Sequence, residues 1–234
     1  MIEEILPPGV RSAEAFDDLA PAPLFPEEAA LMAERRPGRR RQFATARACA
    51  RRSLGELGFA SRPLLPAGGG APQWPDGVVG SITHCDGYRA AVVARSVEVA
   101  ALGIDAEPAL PLPHGVLSLV SSPAERALLE RLAAHGTGVC WDRLLFSAKE
   151  AVYKAWYPGA RQWLGFRDVH VEIGLAGTFA ALLHPADPVP VAYRRFTGQW
   201  LVRNGLLLTV VSRTAGTDPR RDVSSGAPGS ATAY

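Results

Sequence analysis

The chain has 234 residues and a mass of 24.9 kDa, is 47% hydrophobic and 21% charged, and carries a formal net charge of +2. That length supports one large domain or two small ones with a real buried core, and the composition excludes a disordered chain. The longest apolar runs are far short of a membrane helix, and the acidic opening Met1-Ile2-Glu3-Glu4 is unlike a signal peptide. The three cysteines make no Cys-x-x-Cys spacing, which argues against a disulfide framework or a structural zinc and for a reducing cytoplasm.

Charge is segregated along the chain. Residues 1–30 carry seven acids against Arg11, and residues 35–52 then carry eight arginines. The second segment reads as a helix, with Phe43, Ala46, Ala50, Leu54 and Leu57 at core spacing and Gly58 as its stop. Arg40, Arg47 and Arg51 fall on another face, which is either a solvated basic surface or a phosphate clamp. Phe43 is the one aromatic residue among these arginines and is assigned to the core face, so nucleic acid is not the expected partner.

Residues 60–77 read as a Pro/Gly-rich loop containing Gly68-Gly69-Gly70 and the turn Pro75-Asp76-Gly77. Strand patterns come next at Val78–Thr83, Tyr88–Ala94 and Val99–Asp105. After the Pro-rich stretch 108–113, Ser122-Pro123-Ala124-Glu125 marks a helix start. A second helix is expected at about Trp141–Trp156, then strands at Val169–Ile173, Phe179–Leu183, Gln199–Arg203 and Leu206–Val211. The fold class is therefore α+β. Each half has a helix followed by about three strands, which suggests duplication. The expected boundaries are 1–112 for the first half, 113–213 for the second, and a disordered tail at 214–234.

Three patches can carry chemistry. Asp105 and Glu107 close an apolar strand at a spacing of two, so both project to one side. Two such carboxylates repel unless a cation lies between them, and a few oxygen ligands suit Mg²⁺; an acidic strand end is the plain alternative. The second patch is Lys149-Glu150…Lys154. Of 25 cationic residues these are the only two lysines, so they mark places where a compact ammonium is wanted. Glu150 is a candidate third metal ligand, and Lys149 and Lys154 are candidates for phosphate oxygens and a leaving group, against an ordinary surface pair at i, i+4. The third patch is Gly80-Ser81-Ile82-Thr83-His84-Cys85, which lacks a nucleophile-elbow context; beside the arginine helix, Thr83 and His84 can bind a phosphate.

In order, Gly-Ser-Ile-Thr-His (80–84), Gly-Ile-Asp-Ala-Glu-Pro (103–108) and Phe-Ser-Ala-Lys-Glu-Ala-x-Tyr-Lys-Ala (146–155) resemble the 4′-phosphopantetheinyl transferases. The likeness is to the larger, monomeric type, in its enterobactin-synthetase-associated and actinobacterial branch, and runs from about Arg36 to Val211. It takes in Trp74-Pro75-Asp76-Gly77 and Trp163-Leu164-Gly165-Phe166 as well. The resemblance implies a pseudo-dimer of two similar α+β halves with coenzyme A and Mg²⁺, or Mn²⁺, in the cleft between them. It implies Asp105, Glu107 and Glu150 as metal ligands and Lys149 and Lys154 near the pyrophosphate. It also implies Thr83 and His84 near the 3′-phosphate, Arg39, Arg40 and Arg47 on the nucleotide phosphates, and Tyr153 and Trp163 along the pantetheine arm. Lysines that relatives often carry in the 66–70 loop are absent here.

The expected reaction is transfer of the phosphopantetheine arm from coenzyme A to a serine of an acyl or peptidyl carrier protein, with Glu150 as base and Lys154 at the leaving group. Two rivals remain at this point: a metal-dependent phosphodiesterase, and a non-catalytic coenzyme A-binding module.

Overall fold

The computed structural model describes residues 1–185 and 193–216. Two antiparallel sheets organise the chain. In the first, of order β1-β3-β2, β1 (Arg11–Ala15) and β2 (Val78–Cys85) flank β3 (Tyr88–Arg95). In the second, of order β4-β8-β7-β6-β5, the strands are β4 (Val99–Pro108), β5 (Val169–Ile173), β6 (Thr178–Leu183), β7 (Arg195–Arg203) and β8 (Leu206–Thr214). The short helix α1 (Pro26–Leu31) precedes the long α2 (Pro37–Glu56), and α3 (Val116–Val120) and α4 (Pro123–Ala133) precede the long α5 (Trp141–Ala160).

The strands β3 and β8 are buried on both faces, which explains their continuous apolar runs. Ala91 and Val93 of β3 meet Cys49, Ala50 and Leu54 of α2. Ala90, Val92 and Ala94 meet Ile104 of β4, Leu208 and Val210 of β8, and Ile2 and Ile5 of an N-terminal 3₁₀ turn. Leu207 and Val211, on the other face of β8, pack with Leu144, Ala148, Val152 and Trp156 of α5. Each long helix thus covers one sheet, and a third core lies between the sheets.

The strand β4 comes after the first half in sequence, yet it pairs with β8 from Val99↔Thr214 to Pro108↔Leu206. It therefore builds the second sheet, and the chain passes from one sheet to the other in the turn after Arg95. Where β4 runs beside β2, no backbone ladder forms. Ser81 Oγ accepts the Ile104 N–H at 3.1 Å and Thr83 Oγ1 accepts that of Ala106 at 3.0 Å. These bonds satisfy buried donors on the sheet edge that would otherwise be orphaned. The alternation Ser-x-Thr is the seam between the halves.

Three features were not expected from sequence: β1, with its one-sided burial, and the short helices α1 and α3. The expected cap at Ser122 forms in full, since Ser122 Oγ accepts the Glu125 N–H and Glu125 accepts that of Ser122. The strand β7 begins at Arg195, four residues earlier than its hydrophobic pattern indicates. The tail expected to be disordered lies, beyond Gly216, outside the described residues.

Candidate active site

The site forms where β4 passes α5. Gly103 makes the approach possible: a Cβ there would stand 2.1 Å from the Ala151 carbonyl oxygen and 2.6 Å from the Ala155 nitrogen. Only glycine lets the strand backbone lie this close to the helix. With that contact made, the strand alternation turns Asp105 and Glu107 toward α5, while Leu102, Ile104 and Ala106 enter the core between the sheets.

Asp105 is 5% exposed. Its Oδ1 accepts from Lys154 Nζ at 2.7 Å and from Thr83 Oγ1 at 3.4 Å. Its Oδ2 is buried with no hydrogen-bond partner. Such an oxygen is costly unless something binds it. Glu107 pairs through Oε2 with Arg143 Nη1 at 2.9 Å. The same guanidinium donates to the carbonyls of Leu110 and Pro111, so Arg143 grips both the carboxylate and the chain leaving it.

Burial first, and then the neighbouring Asp105, push the Glu107 and Glu150 carboxyls above their ordinary range, although Arg143 and Lys154 pull the other way. The three carboxylates therefore feel one another, as three acids sharing a cleft should. Among the described residues no three such groups stand close enough to form a ready-made metal cage. Cations of the protein, Lys154 and Arg143, hold two of the three carboxylates. The orphaned Oδ2 and the mutual repulsion are the features that fit a hard divalent ion with oxygen ligands.

Two cavities flank Glu150 and Tyr153. One, of about 220 Å³, is lined by Lys149, Glu150, Tyr153, Trp163 and the Leu164–Phe166 segment. Tyr153 meets Trp163 edge-on at 5.5 Å, and Trp163 is 79% exposed at the rim. The other, of about 250 Å³, is lined by Gly70, Ala71, Ser81, Glu150, Tyr153, Lys154 and Tyr157. The glycine loop thus comes to the cleft wall beside Lys154, and Gly68 itself abuts the Tyr157 hydroxyl.

At the far end of β2, Arg39 Nη1 and His84 Nε2 are 2.5 Å apart. Burial and then the Arg39 charge lower the His84 pKa, so the ring is neutral and accepts from the guanidinium. Arg40 is exposed nearby on α2. Cys85 is no nucleophile: burial, followed by Glu107 and Asp105, lifts its thiol to about 12.

Three residues expected at phosphates have partners within the protein. The Lys149 ammonium donates to Glu125 at 2.9 Å and to the carbonyls of Val120 and Phe166 at 2.8 Å each. All three protons are used inside the protein, and burial lowers its pKa. Thr83 is 2% exposed and spends its hydroxyl on Ala106 and Asp105. Arg47 turns inward, with Nε on the Leu64 carbonyl at 2.8 Å and its guanidinium over the Phe43 ring. Burial draws its pKa down to about 10. Two residues that sequence reasoning passes over, Arg143 and Glu125, hold the site from behind. Glu125 leaves one trace, the capping box. Arg143 leaves none among so many arginines.

Comparison with known proteins gives this geometry its context. Residues 27–94 match the 4′-phosphopantetheinyl transferase N-terminal domain, and residues 101–209 match the 4′-phosphopantetheinyl transferase superfamily. The chain belongs to that superfamily. It is 49% identical to 4′-phosphopantetheinyl transferase Svp of Streptomyces mobaraensis, over 100% of this chain and 97% of that protein. It is 43% identical to 4′-phosphopantetheinyl transferase PptT of Mycobacterium tuberculosis, over 90% and 97%. A more distant likeness, 31% over 60% of the chain and 58% of the relative, is to Enterobactin synthase component D of Salmonella typhimurium. The protein is an enzyme, a transferase of phosphopantetheine from coenzyme A to carrier proteins, and the phosphodiesterase and binding-module readings fall. The two matched segments meet between residues 94 and 101, where the structure hands over from one sheet to the other.

Proposed function

We propose that the pyrophosphate of coenzyme A sits against Asp105 and Lys154, with the pantetheine arm in the cavity at Tyr153 and Trp163. Arg39, Arg40 and His84 then face the nucleotide phosphates. The acceptor is a serine hydroxyl of an acyl or peptidyl carrier protein of polyketide, non-ribosomal peptide or fatty-acid synthesis. Both sides of the cleft come from one chain, which supports a monomeric enzyme, and three free cysteines suit the cytoplasm. No helix among the described residues is long and apolar enough to cross a membrane.

The serine oxygen attacks the phosphorus on the pantetheine side and adenosine 3′,5′-bisphosphate leaves. Glu150, whose carboxyl burial and the neighbouring Asp105 lift above its ordinary range, takes the serine proton. Lys154, already charge-paired at the site, neutralises the departing phosphate. Asp105, Glu107 and Glu150 are the residues that would hold Mg²⁺, or Mn²⁺ in its place. When bound, that ion supplies charge neutralisation at the pyrophosphate. Positioning and electrostatics carry most of such chemistry.

The observation that carries this reading is the buried, unpartnered Oδ2 of Asp105 beside Lys154. The test is intact-protein mass spectrometry of an apo carrier protein incubated with the enzyme, coenzyme A and Mg²⁺, with and without EDTA. The expected result is a gain of one phosphopantetheine arm that EDTA abolishes. A gain that EDTA leaves untouched overturns the metal assignment.

A further inference from the structure

Lys149 and Glu125 are both 1% exposed at the side chain, and they form a buried ion pair behind the pantetheine-side cavity. Glu125 is fully engaged: it accepts from Ser122 N at 2.7 Å, Val171 N at 2.9 Å and Lys149. Lys149 in turn gathers three elements: α4 through Glu125, α3 through the Val120 carbonyl, and the cavity wall through the Phe166 carbonyl. The Phe166 ring stacks on Phe146 of α5 at 5.6 Å, and Asp168 accepts the Gly165 N–H at 2.8 Å. The wall Leu164–Phe166 is therefore pinned to α5 by one hydrogen bond from the Lys149 ammonium and one ring stack.

The lysine is also the right residue for this place. Three acceptors from three elements surround a single nitrogen, a geometry that an ammonium meets and a planar guanidinium does not. In a chain with 23 arginines, this accounts for one of its two lysines.

We propose that Lys149 and Glu125 are positioning residues for the pantetheine arm: every ammonium proton of Lys149 is held by the protein, and the pair sets the cavity that the Lys149 chain borders by fixing the Phe166 carbonyl. The proposal rests on the reading above that this cavity takes the arm. It predicts a selective loss. Coenzyme A carries the arm, whereas adenosine 3′,5′-bisphosphate carries only the nucleotide.

The test compares calorimetric binding of both ligands, with Mg²⁺, by the wild-type protein and by a double variant, Glu125→Gln with Lys149→Met. Removing both charges together avoids leaving one buried and unpaired. The expected result is a coenzyme A Kd raised about tenfold or more, by analogy with the loss of other supporting partners behind a binding site, with the bisphosphate Kd unchanged. The KM for coenzyme A rises more than kcat falls. Equal weakening of both ligands, or no weakening of either, overturns the proposal. If the double variant does not fold, Lys149→Arg, which keeps the charge but not the three-way geometry, is read by the same two criteria. Failure of the wild-type protein to bind coenzyme A would instead overturn the functional reading.

Discussion

The two halves contain the same device with different cations. In the second half, Glu125 caps α4, binds Lys149 of α5 and accepts the Val171 N–H. In the first, Glu28 caps α1 by accepting the Phe25 N–H at 3.1 Å, binds Arg51 of α2 at 2.9 Å, and accepts the Leu64 N–H at 2.9 Å. Both glutamates sit two residues after a helix-opening proline, in Pro26-Glu27-Glu28 and Pro123-Ala124-Glu125. Both are fully buried. The repeat extends to the partners, since Glu28 and Arg51 are 23 residues apart and Glu125 and Lys149 are 24 apart. The difference lies further along each long helix. Past Arg51 come Arg52, whose guanidinium reaches the Glu14 carbonyl, and the buried Ser53 and Leu54. Past Lys149 come Glu150 and Lys154, which face the carboxylates of β4. Beyond the first node the helix makes structural contacts, and beyond the second it carries the residues to which we assign the chemistry.

The largest expected effect separates the two roles from the chemical side. Asp105→Ala should lower carrier modification by about 10³-fold or more, because it removes the acceptor on which Lys154 is set and the oxygen available to a metal. The fold should survive, since Thr83 keeps its bond to Ala106 and the lost Oδ2 had no partner. Mass spectrometry of the carrier, with circular dichroism of the variant, checks both halves of the statement. Full activity in the variant would sink the metal assignment.

Glu28→Ala is the mirror experiment. It strips the charge from a buried pair and orphans the Leu64 N–H, which should cost about 3–5 kcal/mol of stability. Urea unfolding should show the loss, while kcat per folded molecule, measured in the cold, stays near that of the wild type. A variant as stable as wild type would mean that the first-half node is ornamental and the parallel between halves is only visual.

Gly103→Ala tests the contact that joins α5 to its strand. The added methyl meets the Ala151 carbonyl and must push β4 from α5. We expect a destabilisation of about 1–3 kcal/mol, together with a kcat loss that exceeds what the unfolded fraction explains, because Asp105 moves away from Lys154. Gly55, on α2, has open space around its Cβ position, so alanine there should leave kcat unchanged and add up to about 1 kcal/mol of stability.

How much of this is readable from sequence depends on range. The helix spanning Pro37–Glu56 and the alternation of β4 are local periodicities, and the sequence carries them openly. The carboxylates Asp105 and Glu107 can be assigned to one side for the same reason. Where long-range partners lie cannot be read in this way. Arg47, Arg51 and Arg52 look alike in the sequence, yet they end on Leu64, Glu28 and Glu14 respectively. Thr83 also serves a neighbouring strand, and nothing local reveals that β4 arrives beside it with N–H groups to satisfy. Lys149 stands out by its rarity, but rarity names the need for an ammonium and not the partner it serves.

The smallest effect concerns pH and again sets α5 apart. The Glu150 carboxyl lies above its ordinary value of 4.5, chiefly through burial and then through Asp105. The folded protein therefore holds that proton more tightly than the unfolded chain. Ionised Glu150 costs stability above its raised pKa, and the cost fades as pH falls toward 4.5 and is gone below it, where folded and unfolded states are both protonated. Glu150→Gln removes the charge for good. In EDTA the variant should melt slightly above the wild type at about pH 8, and the gap should close as pH approaches about 5. The same enzyme should be inactive as a transferase if Glu150 is the base. A variant that melts below wild type in the alkaline range would mean that Lys154 stabilises the Glu150 charge more than Asp105 and burial oppose it, and α5 would then carry its chemistry at no expense to the fold.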